Sequence, residues 1–200
     1  MQRTPSHARQ RILDAARRVF ADCGYQGSAV QEIVRIARVT KPTLYYYFGS
    51  KAGLYRTVVD DAFDERFKLM QGAAARQHTL REQLVEMLEK LFQFAREHRD
   101  LTRITFVTAF AAKGEIPNQD RCFKKGRRNF EFVHSLIKRG VASGELRSRF
   151  SARELTTAIF SQILFYAMTQ AIQTRYVWKR QRAREVVDLF FEGAGSGRKS

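Results

Sequence analysis

Cysteines, acidic side chains, long apolar runs and catalytic motifs are scarce or missing in this chain, and each absence removes a class of protein. Two cysteines among 200 residues, Cys23 and Cys122, stand far apart inside helical patterns. They indicate neither a disulfide framework nor a metal cluster, and both read as packing residues. No alternating pattern of a β-strand and no internal repeat is found. No stretch of 18 apolar residues is seen. The opening MQRTPSHARQR is basic and runs directly into an amphipathic segment, not a signal core, so a cytoplasmic protein with no membrane partner is expected. HExxH, CxxC and G-x-S-x-G are absent, and no acidic pair is framed as general acid and base. The expectation is therefore a protein that is not an enzyme and needs no cofactor. The tail Gly193 to Ser200 imitates a phosphate loop, but Lys199 falls one place late after Gly197. A flexible tail over 193–200 is expected there.

The shortage of acids is the informative one. Thirty-six Lys and Arg face 20 Asp and Glu, a formal charge of +16. An excess of this size favours an acidic partner, nucleic acid first. The density is greatest near the start, where residues 1–51 hold nine basic residues against three acidic ones.

What is present is helical periodicity on an apolar content of 44%, ample for a core. Ser6 is placed to cap a first helix carrying Ile12, Leu13, Ala16, Val19 and Phe20, and Gly24 to stop it. A connector helix is expected from about Ala52 to Ala75. Thr79 to Glu82 and Ser151 to Glu154 are capping boxes that open further helices, and Asn118 is placed to cap another that ends near Gly144. The fold class is all-α, with about nine helices. The last two, with Leu155, Ile159, Phe160, Ile163, Leu164 and Phe165, then Val186, Val187, Leu189, Phe190 and Phe191, are apolar on more than one side. They imply a homodimer built through this pair.

Residues Val30 to Lys51, VQEIVRIARVTKPTLYYYFGSK, carry the sharpest pattern. Ile33, Ile36 and Val39 fall on one side of a short helix; Leu44, Tyr47 and Phe48 fall on one side of a second. At 100° per residue, Lys41, Thr43, Tyr45 and Tyr46 are then turned outward. Two short helices joined by a tight turn, the second with a polar outer face, match a helix-turn-helix that enters the DNA major groove.

The segment from Arg11 to Val58 resembles the TetR family of bacterial transcriptional regulators. The resemblance rests on Phe20, Gly24-Tyr25, Ile33, Ala37, Val39-Thr40, Thr43-Leu44-Tyr45, Tyr47-Phe48 and Ser50-Lys51 with Leu54. It implies a three-helix DNA-binding domain at 1–50 and an effector-binding and dimerisation domain at 51–192. It also implies roles. Thr40 would cap the recognition helix and touch phosphate, Lys41, Thr43 and Tyr46 would face base edges, and Pro42 would add an apolar contact. Tyr45 and Lys51 would hold the backbone, with Ser28 and Gln31 contributing from the second helix. Arg38 stands where the family has glycine, Val34 where it has a small residue, and Ala29 where it has a capping hydroxyl; Ser28 is the residue placed to take over that cap.

In the second domain a small-molecule effector pocket is implied, with aromatic candidates Phe92, Phe106, Phe110, Phe130, Phe165 and Tyr166 and polar candidates Thr105, His134 and Gln162. The expected function is a sequence-specific DNA-binding regulator, a repressor released from its operator by that effector. The alternative is an all-helical enzyme or binding protein for an anionic ligand such as an acyl-CoA.

Overall fold

Nine α-helices make up the regular structure of the described residues, with no strand among them. The coordinates are a computed structural model that describes residues 5–117, 119–146, 149–172 and 178–195. In chain order the helices are α1 (Pro5–Gly27), α2 (Val30–Ala37), α3 (Lys41–Phe48), α4 (Lys51–Arg76) and α5 (Leu80–Glu97), followed by α6 (Arg99–Phe110), α7 (Gln119–Ser143), α8 (Ala152–Ile172) and α9 (Arg180–Gly195). The all-α expectation holds. By contacts the chain forms two compact units, Met1–Phe63 with Asp100–Lys124, and Asp64–Arg99 with Lys125–Ser200. A single cut at residue 50 does not describe this division, because α6 packs with the amino-terminal helices.

In the first unit, Ile12, Leu13, Ala16, Val19 and Phe20 are buried along α1, as their spacing predicts. Gly24 breaks the helical path with φ 68 and ψ −178, yet helical structure resumes and α1 runs on to Gly27. On α2 the buried set is Ile33, Val34 and Ala37, while Ile36 and Val39 are only half-buried. The expected stripe was thus rotated: Val34 takes the inner position. Phe20, Tyr25 and Tyr55 form an edge-on aromatic cluster, Phe20 lying 4.9 Å and Tyr25 5.1 Å from the Tyr55 ring. Tyr55 is 1% exposed, and its oxygen lies 2.7 Å from Thr108 Oγ1 on α6. Thr108 uses its own proton on the Ile104 carbonyl at 2.6 Å, so Tyr55 is the donor. Burial pushes the Tyr55 phenol up from its ordinary range, which keeps that donor protonated.

The second unit packs α5 against both α8 and α9. Leu84, Leu88, Phe92, Leu136, Ile137, Leu155, Ile159, Val187 and Phe190 belong to one buried cluster. The Ser151 box forms in full, and Thr79 caps α5 with its hydroxyl also donating to the Glu82 carboxylate. Thr79 accepts from the Glu82 N–H at 3.3 Å, and the Ser151 N–H donates to Glu154 at 2.7 Å. Gly144 follows α7 at φ 79.

Several expectations need correction. No uninterrupted run of 18 apolar residues occurs, yet α8 is apolar enough on average, by length and composition, to cross a membrane. In this fold it is a packing helix that sends Leu155, Ile159 and Ile163 into the core. Cys122 is buried as expected, whereas Cys23 is exposed, because it lies on the outer side of the last regular turn before Gly24. The tail begins later than Gly193, since α9 runs to Gly195. Residues 196–200, Asn118 and the side chain of Ser6 lie outside the described residues.

Two glycines sit where a methyl group would collide. A Cβ on Gly53 would meet the Phe48 carbonyl oxygen, and one on Gly140 would meet Leu80 Cδ2. A backbone oxygen has nowhere to go, while a leucine tip can rotate. Gly53→Ala should therefore destabilise by about 1–3 kcal/mol, and Gly140→Ala by less. Thermal melts of the two variants check this ranking; a Gly53→Ala protein melting like wild type would refute the tight α3–α4 junction.

Candidate nucleic-acid interface

An eight-residue helix is too short to persist alone, so α3 depends on its caps and its inner face. At its start, Thr40 is extended at φ −92 and its side chain accepts from the Thr43 N–H at 3.4 Å. Pro42 lies in the first turn, where a missing N–H costs nothing. At its end Gly49 takes φ 72, and its N–H donates to the Tyr45 carbonyl at 2.8 Å. Leu44 at 0% and Phe48 at 8% exposure are the buried residues of this helix, and Tyr47 is half-buried. The opposite side is consequently open. Tyr46 is 83% and Tyr45 44% exposed, Lys41 and Pro42 are exposed, and Thr43 is half-buried.

Around this face stand further cations. The Arg9 guanidinium lies 5.5 Å from the centre of the Phe48 ring. Lys51, half-buried at the start of α4, holds its ammonium 4.6 Å from the Tyr25 ring. Partial burial lowers the Lys51 ammonium from its ordinary range, since water is replaced by a ring that solvates charge less well. Placed at a helix start, where free N–H groups already favour an anion, it has the position of a phosphate ligand.

At the start of α2 one expected contact is open and one is not. Gln31 is exposed. Ser28 does not cap α2: it is 5% exposed and donates its hydroxyl to the Tyr25 carbonyl at 2.6 Å. The residue at the cap is Ala29, which supplies no side-chain bond. Ser28 therefore offers no surface hydroxyl in this conformation.

The turn itself carries an unusual residue. Arg38 sits at φ 52 and ψ 53, where a side chain costs roughly 1–2 kcal/mol and glycine does not. Its N–H donates to the Arg35 carbonyl at 3.2 Å, and the Val39 N–H donates to the Val34 carbonyl at 3.1 Å. These are the paired bonds of a Schellman motif, and the backbone alone makes them.

The nine effector candidates do not converge in one place. Phe92, Phe165 and Tyr166 belong together in the second unit, with Phe92 5.6 Å and Phe165 6.1 Å from the Tyr166 ring. Trp178 joins them, 5.3 Å from the same ring. Phe130 pairs instead with Phe160 at 5.4 Å. His134 Nδ1 lies 3.1 Å from Thr156 Oγ1; Thr156 already donates to the Ala152 carbonyl at 2.6 Å, so His134 donates through Nδ1. Gln162 Oε1 is buried with no hydrogen-bond partner among the described residues. Phe165 is 61% exposed and does not line an interior in the single chain.

Thr105, Phe106 and Phe110 fall in the other unit. Thr105 is buried and spends its hydroxyl on the Thr102 carbonyl at 2.9 Å. Phe110 is 81% exposed beside an open cleft of about 470 Å³ lined by Cys23, Tyr25, Val107 and Ile116 among others. Sequence reasoning gave Tyr25 no role beyond the resemblance and missed Thr108 altogether, because nothing in local spacing tells which rings and hydroxyls a distant helix will meet.

Residues 12–58 match the family model of the bacterial regulatory proteins of the tetR family, and residues 81–187 match that of the tetracyclin repressor-like C-terminal domain. The second match alone exceeds half of the chain. The protein belongs to the TetR family. That family is one of bacterial DNA-binding regulatory proteins. Among curated TetR-family relatives, the probable HTH-type transcriptional regulator YttP of Bacillus subtilis is 29% identical over 49% of this chain, which covers 48% of that protein. The chain thus spans about half the length of this relative. The fatty acid metabolism regulator protein of the same organism is 25% identical over 81% of each chain. The solved structure of the regulator FadR from Bacillus subtilis in complex with stearoyl-CoA superposes with a TM-score of 0.76 at 22% identity, covering 92% of this chain and 98% of that one. At that identity the likeness speaks to the fold.

Lys51→Ala in this TetR protein should weaken binding to specific and random DNA alike and flatten the salt dependence by about one. Lys41→Ala and Tyr46→Ala should instead cost about 1–3 kcal/mol of discrimination on a selected site. Fluorescence anisotropy over a salt series separates the two; equal losses for all three on random DNA would contradict the division of roles.

Proposed function

We propose that this chain is a cytoplasmic, homodimeric repressor without enzymatic activity, whose operator affinity falls when an acyl-CoA or a related fatty-acyl ligand binds. The observation that carries the DNA-binding half is the α3 face: Leu44 and Phe48 are buried while Tyr45 and Tyr46 stand exposed. Thr40 and Lys51 would hold phosphate from either end of that helix, with Tyr45 beside them. Lys41, Thr43, Tyr46 and the Pro42 ring would meet base edges, and Gln31 would approach from α2. The acyl-CoA half is supported by the stearoyl-CoA complex of the FadR relative and by the fatty acid metabolism regulator. The anionic ligand first considered for a rival enzyme or binding protein thereby becomes the effector of a regulator.

Functionally the division stays at 1–50 for DNA and 51–192 for effector and dimer. The aromatic group of Phe92, Tyr166 and Trp178 is the apolar lining we assign to the acyl chain, with Gln162 as the polar group it leaves unsatisfied. Dimerisation is assigned to α8 and α9, where Leu164, Phe165, Ile172 and Leu189 are exposed in the single chain at 39%, 61%, 67% and 62%. A dimer must present its two recognition helices about 34–36 Å apart, one turn of DNA. A shift of α4 changes that spacing, and the Tyr55–Thr108 bond is the link by which α6 would pull on α4. Relief by 100-fold requires a preference of about 2.7 kcal/mol for the DNA-free form.

Titration of labelled random duplex at several salt concentrations tests the regulator reading, since affinity indifferent to salt would favour the rival. Two variants test the rest. Tyr55→Phe should leave ligand-free DNA affinity within about twofold while reducing relief by palmitoyl-CoA severalfold, because the link lost is worth about 1 kcal/mol. Full relief in that variant would remove Tyr55 from the pathway. Phe165→Arg and Leu189→Arg should halve the sedimenting mass; Phe190, at 5% exposure, is a core residue and would report on folding instead. A dimer that survives both substitutions would place the interface elsewhere.

A further inference from the structure

Arg38 is the single non-glycine residue with positive φ among the described residues. Its backbone makes the Schellman bonds that end α2, a task glycine performs without strain. Its side chain is exposed and makes no hydrogen bond, ion pair or ring contact among the described residues. The neighbouring arginine, by contrast, is engaged: Arg35 lies 3.7 Å from Glu32. A strained conformation that no side-chain contact among the described residues offsets points to a gain made outside them.

Location says what kind of gain. Arg38 stands two residues before Thr40, the N-cap of the recognition helix. A helix that enters the major groove by its amino-terminal end has phosphates on both walls at that point. Residues before the cap therefore meet backbone, whereas those in the first turn meet base edges. We propose that Arg38 is a phosphate-binding residue of the operator complex, one that positions the recognition helix at the expense of folding stability. A guanidinium suits the task, being always charged and able to offer two parallel donors to a phosphate. The proposal rests on the DNA-binding function and adds a contact that a glycine at this place cannot make.

The test compares wild type with Arg38→Gly and Arg38→Lys, using thermal melts and titration of labelled random-sequence duplex over a salt series. Arg38→Gly should raise Tm by about 2–4 °C, since relief of the left-handed strain outweighs the freedom glycine gains when unfolded. The same variant should flatten the salt slope by about one for each protomer bound. Arg38→Lys should keep the slope near wild type and melt without that gain. A glycine variant with an unchanged slope would overturn the proposal. So would a lowered Tm, which would mean that the arginine serves the carboxyl end of the α2 dipole. Wild-type protein that binds random duplex without salt dependence would instead defeat the DNA-binding function itself.

Discussion

The burial of Leu44 and Phe48 is the constraint on which the DNA-binding surface depends. An isolated helix of eight residues does not hold together in water, so α3 exists only while its inner face is covered and its ends are capped. Covering that face leaves the intervening tyrosines no place but the surface. Exposure of Tyr46 at 83% is thus a result of packing on the other side of the helix.

The same constraint explains the neighbourhood. The Gly53 position is closed by the Phe48 carbonyl, so α4 starts almost in contact with the end of α3. Lys51 is held at that junction, over the Tyr25 ring. Tyr25 in turn meets Tyr55, and Tyr55 donates to Thr108 on α6. The exposed helix α3, the Lys51 ammonium and a helix far along the chain therefore share one short sequence of contacts inside a single compact unit.

Much of this was legible beforehand for physical reasons. Periodicity reports burial directly, so the helix count, the outward tyrosines and both capping hydroxyls could be read from residue spacing. Where the reading slipped, the local signal was ambiguous. Val34 and Ile36 are both apolar on an eight-residue helix, and only the neighbouring α1 decides which of them faces inward. Ser28 and Ala29 adjoin, yet the Ser28 hydroxyl turned back to Tyr25. The effector candidates scattered for a related reason: aromatic residues on four different helices satisfy the same composition rule, and only packing sorts Phe110 from Phe92.

By itself the sequence determined an all-helical chain, a basic helix-turn-helix near its beginning and the outward face of α3, because those follow from charge, from 3.6-residue periodicity and from caps within four residues of each other. Tertiary structure decided that α6 joins the DNA-binding unit through Thr108, that Lys51 rests on Tyr25, and that Arg38 has no partner within the described chain. Each of those depends on groups brought together from distant parts of the chain, or kept apart, and no rule of local spacing contains that information.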